Sequence, residues 1–353
     1  MRVLIDCRMS TWSGIGRYCQ GLVRALVDIP DLSVIQMVAV GAVAPSDAAE
    51  SVEAHHHPFS FRGSLEFGRI VRAVAPDVTH ALHFPTPRPV GHPLVVTIQD
   101  LTPLVVPGVM SSALRRAVYR RSVGHAVRVA DHILTPSAYT ARDVVRFFPH
   151  SEARITSVLL AADDFTSRAA GVVPEWLAGR RFILSMGNTK PHKDLPTLLK
   201  AFAALGDDTL ALVLAGSDPG DYVASVLGDD PAAGRVHFTG AVSDDTLRAL
   251  YVGAELLAYP SLYEGFGLPP LEAMGFGTPV IVADAASVPE VVADAALKIA
   301  PGDVEGLAEA MREILGDPVL ASDLMRRGIA RAGELTWART AEQTAAVYRE
   351  VVG

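Results

Sequence analysis

Long hydrophobic runs and cysteine are scarce in this sequence, and the first 165 residues contain no lysine. No stretch reaches about eighteen uninterrupted apolar residues, so we expect no membrane-spanning helix. The two cysteines, Cys7 and Cys19, lie near the start, and the opening MRVLIDCR lacks the apolar region of a signal peptide. We therefore expect a reduced, cytoplasmic setting, with peripheral attachment at the inner face of the membrane left open.

Several signatures of other function classes are also missing. The sequence has no paired metal-ligand spacing, no nucleophile-elbow serine and no Walker lysine motif, which argues against hydrolases and phosphate-transfer enzymes. Basic stripes with interleaved aromatic residues are absent, which argues against nucleic-acid binding. The run 55–57 of three histidines falls in a predicted loop, where solvation explains it better than metal binding. We expect no metal and no cofactor.

Apolar residues are abundant, and charge is unevenly distributed. Half of the 353 residues are hydrophobic and 20% are charged, which fits an α/β protein with buried, nearly all-apolar strands. Residues 1–165 carry a formal charge of about +2, whereas the remainder carries about -10. Either the two halves meet different partners, one of them an anionic acceptor or surface, or surface composition has drifted.

Short apolar runs alternate with amphipathic segments along the whole chain. Runs such as 3–5, 34–40, 94–98 and 132–135 predict strands, and segments such as 15–27, 64–74, 111–130 and 138–147 predict helices. This alternation predicts parallel βαβ units. The periodicity weakens between 160 and 179, so we place a domain boundary there, after which the alternation restarts. In such sheets ligands bind at the carboxyl ends of the strands.

The segment 259–279, YPSLYEGFGLPPLEAMGFGTP, carries the most information. It leaves a predicted strand, passes Glu264 and a Gly-Phe-Gly turn, and enters a helix whose start is marked by Pro269 and Pro270. The free amides and positive dipole of that helix start suit a diphosphate. Two carboxylates beside an anion site, Glu264 and Glu272, make sense as acceptors for sugar hydroxyls, although each alone would usually be a surface charge.

Taken together, these residues resemble the family 4 retaining glycosyltransferases of the GT-B fold, the glycosyl transferases group 1. The shared signature is a Glu-x7-Glu segment with a Gly-Phe-Gly turn and a following Glu-Ala-Met. The resemblance implies that Glu272 binds the ribose hydroxyls of a nucleotide and that Glu264 binds the donor hexose. It also implies donor contacts from the turn and the helix start at Gly265, Phe266, Gly267 and Leu268.

A second matching segment, FILSMGNTKPHKDLPTLLKAF, places Lys193 between a loop and a helix. A lysine there can reach a diphosphate as a point charge, although a lone lysine is usually a solvated surface charge. In the resembling family this lysine works with an arginine. Asn188 and His192 stand at the arginine positions here, and we count both as donor-binding candidates.

In the first half, Gly14 and Gly16 of SGIGRY open a predicted helix, where a tight turn is a commoner explanation than a phosphate site. The resemblance implies that this loop covers the donor diphosphate. VVTIQDLTPL resembles the family's Thr-x-His-Asp-x-x-Pro, with Gln99 where histidine is usual, and Gln99 cannot shuttle a proton. Asp100 matches and joins Lys193 and Glu264 as a catalytic candidate.

Two further groups are candidates for partner contacts. His80 and His83 end a predicted strand, and with Gln99 they are acceptor-side candidates, with core or capping roles as the alternative. The helix predicted at 111–130 carries five arginines that could dock an anionic membrane surface or a phosphorylated acceptor, or simply form a solvated face. These are Arg115, Arg116, Arg120, Arg121 and Arg128.

The sequence thus predicts an α/β protein with the GT-B fold, in which two Rossmann-like doubly wound domains face each other across a cleft. We expect an acceptor-binding domain at 1–165, a nucleotide-sugar-binding domain at 166–335, and a C-terminal helix at 336–353 that crosses back to the first domain. The resemblance implies metal-independent transfer with retention through an oxocarbenium-like state, in which the leaving diphosphate accepts the proton of the acceptor hydroxyl.

The segments IDCRMSTWSGIGRY and TIQDLTPL resemble most those of bacterial polysaccharide mannosyltransferases, so GDP-mannose is the first donor expected. UDP-N-acetylglucosamine and UDP-glucose stay open as donors, and the acceptor is a hydroxyl of a glycan, a glycolipid or a small natural product. Two alternatives of other classes are a sugar-nucleotide isomerase of the 2-epimerase type and a catalytically silent sugar-nucleotide-binding protein.

Overall fold

The structure is a computed structural model that describes residues 1–85, 91–186 and 188–353. The chain divides into two compact units. Unit 1 comprises Met1–Val105, Met110–Ala161 and Leu335–Gly353, and unit 2 comprises Val106–Val109 and Ala162–Glu334. From the sequence we expected the boundaries after residues 165 and 335. In the structure the units change after residues 161 and 334, which are four residues and one residue earlier. Val106–Val109, which we assigned to the first domain, groups with the second.

Unit 1 is built on a seven-stranded parallel sheet in the order β3-β2-β1-β4-β5-β6-β7. Its strands are β1 (Arg2–Asp6), β2 (Ser33–Ala39), β3 (Glu50–Ala54), β4 (Val78–Ala81), β5 (Leu94–Thr97), β6 (His132–Thr135) and β7 (Ile155–Ser157). Its helices are α1 (Ser13–Leu26), α2 (Phe61–Val74), α3 (Thr102–Val105), α4 (Ala113–Val129), α5 (Ala138–Phe147) and the C-terminal helix, α14 (Trp337–Val352).

Unit 2 contains a six-stranded parallel sheet in the order β10-β9-β8-β11-β12-β13. Its strands are β8 (Arg181–Met186), β9 (Leu210–Ala215), β10 (Val236–Phe238), β11 (Leu256–Tyr259), β12 (Val280–Ala283) and β13 (Leu297–Ile299). Its helices are α6 (Asp163–Thr166), α7 (Leu195–Ala203), α8 (Tyr222–Leu227), α9 (Asp244–Gly253), α10 (Leu268–Gly275), α11 (Val288–Val292), α12 (Val304–Gly316) and α13 (Pro318–Glu334).

Apolar strands covered by amphipathic helices form the core of each unit. In unit 1, Phe67 and Val71 of α2 pack on the β1 and β2 residues Leu4 and Ile35. In unit 2, the apolar faces of α7 and α12 cover the central strands. Strands buried on both faces need side chains that are apolar throughout, which is why the short apolar runs identified these sheets.

The strand order reverses once in each sheet, and that reversal positions the candidate sites. In unit 1 the order changes direction between β1 and β4, and in unit 2 between β8 and β11. At such a point the connections leave the two neighbouring strands in opposite directions, which opens a crevice beyond the carboxyl ends of the strands. Residues that directly follow β1, β4, β8 and β11 therefore lie at the two crevices.

Candidate active site

The crevice of unit 2 brings together two segments that are far apart in the sequence. The loop after β8 ends at Lys193, in a short 3-10 turn before α7. The loop after β11 contains Glu264 and ends at the start of α10. A backbone hydrogen bond of 2.7 Å from Leu262 to the carbonyl of His192 joins the two loops. The fold thus places Lys193 beside Glu264.

Lys193 and Glu264 form an ion pair that is largely removed from water. The Lys193 ammonium lies 2.5 Å from Oε1 of Glu264, and the two side chains are 14% and 17% exposed. The same oxygen accepts hydrogen bonds from the hydroxyls of Tyr259, at 2.8 Å, and Ser261, at 2.6 Å. The ammonium also donates to the Tyr259 hydroxyl at 3.0 Å. One carboxylate oxygen therefore orders three donors in the crevice.

The surroundings keep Glu264 ionised. Burial alone would raise the pKa of its carboxyl, but the charge of Lys193 and the hydrogen bonds from Lys193, Ser261 and Tyr259 outweigh burial and hold the pKa below its ordinary value. Burial, together with the Glu264 charge, raises the pKa of Tyr259 well above 10.0. At neutral pH the site therefore presents a carboxylate, an ammonium and a phenol that keeps its proton.

The turn between Glu264 and α10 is fixed by the backbone. The Ser287 hydroxyl lies 2.8 Å from the carbonyl oxygen of Glu264 and 2.9 Å from that of Phe266. Gly267 has a φ of 111°, a left-handed conformation that glycine adopts without strain. Helix α10 then begins at Leu268, with prolines in its first turn. Its first amides have no partner within the helix, which makes this end suited to an anion.

Glu272 and Gly265 complete the candidates in this segment. Glu272 lies inside α10, is 3% exposed, and accepts a 2.9 Å hydrogen bond at Oε2 from the Tyr251 hydroxyl. It is therefore held in a fixed orientation rather than on a solvated helix face. Gly265 is part of the turn after Glu264. Their predicted donor contacts stay predictions.

The two residues at the expected arginine positions have structural roles in the β8 loop. Oδ1 of Asn188 accepts a hydrogen bond from the Lys190 amide at 3.1 Å and so shapes the loop. His192 is 7% exposed, and its carbonyl lies 3.0 Å from the Ser261 hydroxyl. The cation that the structure pairs with Glu264 is Lys193.

The glycines of SGIGRY lie in the first turn of α1. A Cβ atom at Gly16 would collide with the Ser10 carbonyl, so close backbone approach explains this glycine. Gly14 is exposed, with open space around it. Oδ1 of Asp100 accepts a hydrogen bond from the Thr102 amide at 2.8 Å, which orders the start of α3. Nε2 of Gln99 donates to the Leu82 carbonyl at 3.2 Å.

His80 lies within β4 and His83 follows it by two residues, and the two have different environments. His80 is fully buried, with Nδ1 2.6 Å from the Tyr348 hydroxyl and Nε2 2.7 Å from Oγ1 of Thr97. Both ring nitrogens are thus occupied inside the core, which agrees with the core role that the sequence left open for His80. His83 is half-buried, and burial lowers its pKa to about 4, so its ring is neutral at pH 7.

The arginine-bearing helix is α4, and its first half projects into solvent. Leu114 and Val118 are 75% and 56% exposed on this helix. Nη2 of Arg116 donates to the Leu104 carbonyl, which fixes α4 to α3. All five predicted arginines are exposed, namely Arg115, Arg116, Arg120, Arg121 and Arg128.

Four residues that hydrogen-bond the two glutamates or the turn after Glu264 were not identified from the sequence. They are Tyr259, Ser261, Tyr251 and Ser287. Tyr259 and Ser261 lie in the same segment as Glu264. A polar residue at the end of the apolar strand β11 was the sequence signal that could have identified Tyr259. Tyr251 on α9 and Ser287 before α11 reach the site only through the fold, and the sequence carries no local sign of this.

Two features are absent from the described part of the chain. No helix among these residues is both long and apolar enough to cross a membrane. Within 1–85, 91–186 and 188–353, no group of three or more His, Cys, Asp or Glu side chains is arranged to hold a metal ion.

Sequence comparison relates this site to known transferases. Residues 173–332 match the model of the family described as glycosyl transferases group 1. O-antigen chain mannosyltransferase B of Escherichia coli is 32% identical over 240 residues, which is 65% of this chain and 63% of that protein. The MMP alpha-(1->4)-mannosyltransferase of Mycolicibacterium hassiacum is 32% identical over 255 residues, 67% of this chain and 60% of that protein. The chain thus spans less than two thirds of the length of these curated relatives.

Solved structures match the whole chain at low identity. The Anabaena protein HepE in complex with UDP and glucose superposes with a TM-score of 0.75 at 17% identity, over 99% of this chain and 100% of that one. Sucrose-phosphate synthase from Thermosynechococcus elongatus gives a TM-score of 0.74 at 18% identity, over 99% of both chains. The chain has the GT-B fold, and residues 173–332, which contain Lys193, Glu264 and Glu272, belong to the glycosyl transferases group 1 family.

Proposed function

We propose that this protein is a retaining glycosyltransferase that moves a hexose from a nucleoside-diphosphate sugar to a hydroxyl acceptor. The observation that carries the proposal is the Lys193–Glu264 pair, at the strand-order reversal of unit 2 and within the segment that matches the family. An ammonium, an ionised carboxylate and a helix start that meet in one crevice suit a ligand that combines an anionic diphosphate with neutral hydroxyls.

The proposal assigns a binding role to each polar group of the crevice. Lys193 and the first amides of α10 bind the diphosphate, Glu264 accepts hydrogen bonds from the hexose, and Glu272 accepts them from the ribose. Glu264 already orients the ammonium at 2.5 Å, so Lys193 is preorganised before the donor arrives. Tyr251 does the same for Glu272 through its hydroxyl.

The reaction breaks the bond between the anomeric carbon and the leaving oxygen of the diphosphate, and the electron pair stays on that oxygen. The acceptor oxygen bonds to the anomeric carbon from the same face, and its proton passes to the leaving diphosphate. Negative charge therefore grows on the leaving oxygen in the transition state. Stabilising that charge is the main catalytic contribution of Lys193 and the α10 amides.

GDP-mannose is the proposed donor. The relatives at 32% identity are named as mannosyltransferases, and a curated relative from Salmonella typhimurium, 29% identical over 225 residues, is an O-antigen chain mannosyltransferase as well. The solved structure with UDP and glucose is that of a protein only 17% identical, so UDP-glucose is the first competing donor. The acceptor is a hydroxyl of a glycan, a glycolipid or a small molecule.

We also propose that α4 docks the protein on anionic lipid at the cytoplasmic face of the membrane. The exposed arginines would meet phosphate headgroups, while Leu114 and Val118, 75% and 56% exposed, offer apolar contact beside them. Two cysteines with free thiols, both buried, are consistent with a reducing compartment.

Incubation with one radiolabelled sugar nucleotide at a time tests the proposed activity. Without acceptor, a glycosyltransferase should hydrolyse its donor slowly, and we expect this for GDP-mannose and at an unchanged rate in EDTA, since we propose no metal in the reaction. Interconversion of the sugar nucleotide without release of nucleoside diphosphate would identify an isomerase instead. Binding without turnover of any donor would identify a silent sugar-nucleotide-binding protein.

A further inference from the structure

Large aromatic rings lie partly exposed at the strand-order reversal of unit 1. Trp12 follows β1, His83 follows β4, and Phe59 and His57 follow the edge strand β3. Trp12 is 39% exposed and Phe59 is 46% exposed. Because all strands of this sheet are parallel, these residues meet at its carboxyl edge, where ligands of doubly wound sheets bind.

The rings form one continuous cluster. Trp12 and Phe59 are nearly parallel, with an interplanar angle of 8° and centroids 5.9 Å apart. The His57 ring lies 6.0 Å from that of Trp12 and 5.7 Å from that of Phe59. The edge of the cluster is formed by His83, whose centroid is 6.1 Å from that of Phe59.

Buried contacts hold this cluster in position. Phe84, 7% exposed, packs edge-on against Phe59 at 5.7 Å and anchors the ring from below. The loop after β3 is tied to α2 by Glu66, which accepts hydrogen bonds of 2.9 Å from the amides of His55 and His56. The exposed rings therefore sit on a rigid support, as a preorganised binding surface requires.

The cluster offers apolar ring faces beside polar ring atoms. Arg8, two residues after β1, is 4% exposed and is paired with Asp6 through hydrogen bonds of 2.8 and 2.6 Å, so its charge is already compensated. Among the described residues, none hydrogen-bonds the buried Nδ1 of His83. Since the pKa of His83 is lowered to about 4 by burial, this ring is neutral at pH 7.

A pyranose ring matches this surface better than a phosphate does. The C–H groups on one face of a pyranose carry slight positive charge and pack on the negative face of an aromatic ring. Hydroxyls at the ring edge can both donate to and accept from neutral imidazoles. A phosphate would instead need a cation, and the guanidinium of Arg8 is already paired with Asp6.

We propose that Trp12, Phe59, His57 and His83 form a pyranose-binding subsite that receives a terminal hexose of the acceptor. The identification of the bound sugar as the acceptor rests on the proposed glycosyl transfer. Binding of a sugar ring to the cluster is argued from the geometry of unit 1 alone. Trp12 and Phe59 supply the stacking faces, and the two imidazoles select hydroxyl positions. The acceptor is then a glycan or glycoside whose end is an uncharged hexose.

Saturation-transfer NMR tests the subsite with methyl α-D-mannopyranoside and methyl α-D-glucopyranoside as probes. Irradiation of aromatic protons should transfer saturation to at least one probe. In the double variant Trp12→Ala, Phe59→Ala the transfer should fall at least fivefold, while Trp12→Phe, which keeps a ring, should retain most of it. Phe61→Ala is the matched control, since Phe61 is an exposed aromatic residue, 80% exposed, at the start of α2.

Three results would overturn the subsite. The first is no transfer to either probe in the unmodified protein, and the second is equal transfer in the double variant. The third is a response of Trp12 fluorescence to vesicles of anionic phospholipid with none to the glycosides, which would assign the rings to lipid. Donor hydrolysis is measured on the same samples: its absence in a protein that still binds a glycoside would refute the proposed function alone, and intact hydrolysis without glycoside binding would refute the subsite alone.

Discussion

Lys193 has a structural role and a proposed catalytic role. It forms an ion pair with Glu264 and, in the proposed reaction, it faces the growing charge of the leaving diphosphate. A buried ion pair contributes little net stability, but removing one partner leaves the other charge without compensation. Loss of the Lys193 side chain should therefore both weaken donor binding and leave the Glu264 carboxylate without its ion-pair partner.

We predict that Lys193→Ala lowers turnover more than donor affinity. Loss of one charge-assisted contact should weaken donor binding by roughly 1.5 to 3 kcal/mol. Loss of a preorganised partner for the leaving charge should slow turnover by about a hundred- to a thousandfold. Steady-state donor hydrolysis and equilibrium binding of the nucleoside diphosphate give the two values.

Lys190→Ala is the control for this prediction, because Lys190 is exposed on the same loop and only its backbone amide bonds to Asn188. It should leave turnover unchanged. Lys193→Arg should restore only part of the rate, since a planar guanidinium does not reproduce the point charge of an ammonium. Donor turnover by Lys193→Ala within about twofold of the unmodified protein would mean that the diphosphate site has been misplaced.

Glu272→Gln should weaken nucleoside diphosphate binding, whereas Glu264→Gln should mainly slow transfer. Each hydrogen bond from a ribose hydroxyl to a charged acceptor contributes roughly 1.5 to 3 kcal/mol. Calorimetry with GDP measures the first effect, and donor hydrolysis at saturating donor measures the second. Equal GDP affinity of Glu272→Gln and the unmodified protein would exclude the ribose role.

At the scale of elements, α14 is fixed to unit 1 by polar contacts inside the core. The Tyr348 hydroxyl lies 2.6 Å from Nδ1 of the fully buried His80, and Oγ1 of Thr340 donates to the Leu159 carbonyl at 2.7 Å. Burial lowers the pKa of His80 to about 3, so its ring stays neutral and needs a partner at each nitrogen. The helix that follows unit 2 in sequence is thereby part of unit 1.

Tyr348→Phe should lower the free energy of unfolding by about 1 to 3 kcal/mol, because it leaves a buried imidazole nitrogen unsatisfied while keeping the ring. Urea denaturation followed by circular dichroism measures the change. Tyr222→Phe on α8 is the matched control, since Tyr222 is only half-buried. If both variants lose the same free energy, the contact with His80 does not stabilise α14.

Charge reversal on α4 should abolish binding to anionic vesicles. Each basic residue near such a surface contributes about 1 kcal/mol, so Arg120→Glu with Arg121→Glu should eliminate co-sedimentation at low salt. Arg116 is left unchanged because it also holds α4 to the Leu104 carbonyl. Lys200→Glu with Lys298→Glu in unit 2, both exposed, makes the same change in net charge and should retain binding. Absence of vesicle binding by the unmodified protein would return the arginines to a solvated face.

Elements with a strong apolar pattern could be predicted from the sequence, and elements without one could not. We identified α5 at its observed limits, Ala138–Phe147, and β6 likewise. The edge strand β3 was missed, because Glu50 and Glu53 interrupt any apolar run and most of the strand is not buried. Helix α13 was missed as well, since it buries only Leu324 and Gly328.

The candidate site divides in the same way. Lys193, Glu264 and Glu272 could be found from the sequence because each lies in a short motif beside a predicted strand end or helix start. The direct contact of Lys193 with Glu264 could not, since 71 residues separate them and only the order of strands in the sheet brings them together. The sequence left His80 open between an acceptor contact and a core role, because it does not show that Tyr348, far along the chain, hydrogen-bonds its ring.

At the scale of the whole molecule, the two units share one design and differ in what stands at the strand-order reversal. Unit 2 places an ion pair and a helix start there, which suits an anionic ligand with hydroxyls. Unit 1 places exposed aromatic rings and two imidazoles there, which suits the sugar ring of the proposed acceptor. This division matches the proposed transfer from a charged donor to a neutral hydroxyl.

The anomeric configuration of the first sugar released from GDP-mannose tests the central claim most directly. With water as acceptor and no other substrate, proton NMR recorded before mutarotation should show α-mannopyranose, the configuration of the donor, and Lys193→Ala should slow its appearance by about a hundred- to a thousandfold. Release of β-mannopyranose first would contradict retention. A changed sugar nucleotide with no free sugar, or the same rate in Lys193→Ala, would contradict the assignment of this site to glycosyl transfer.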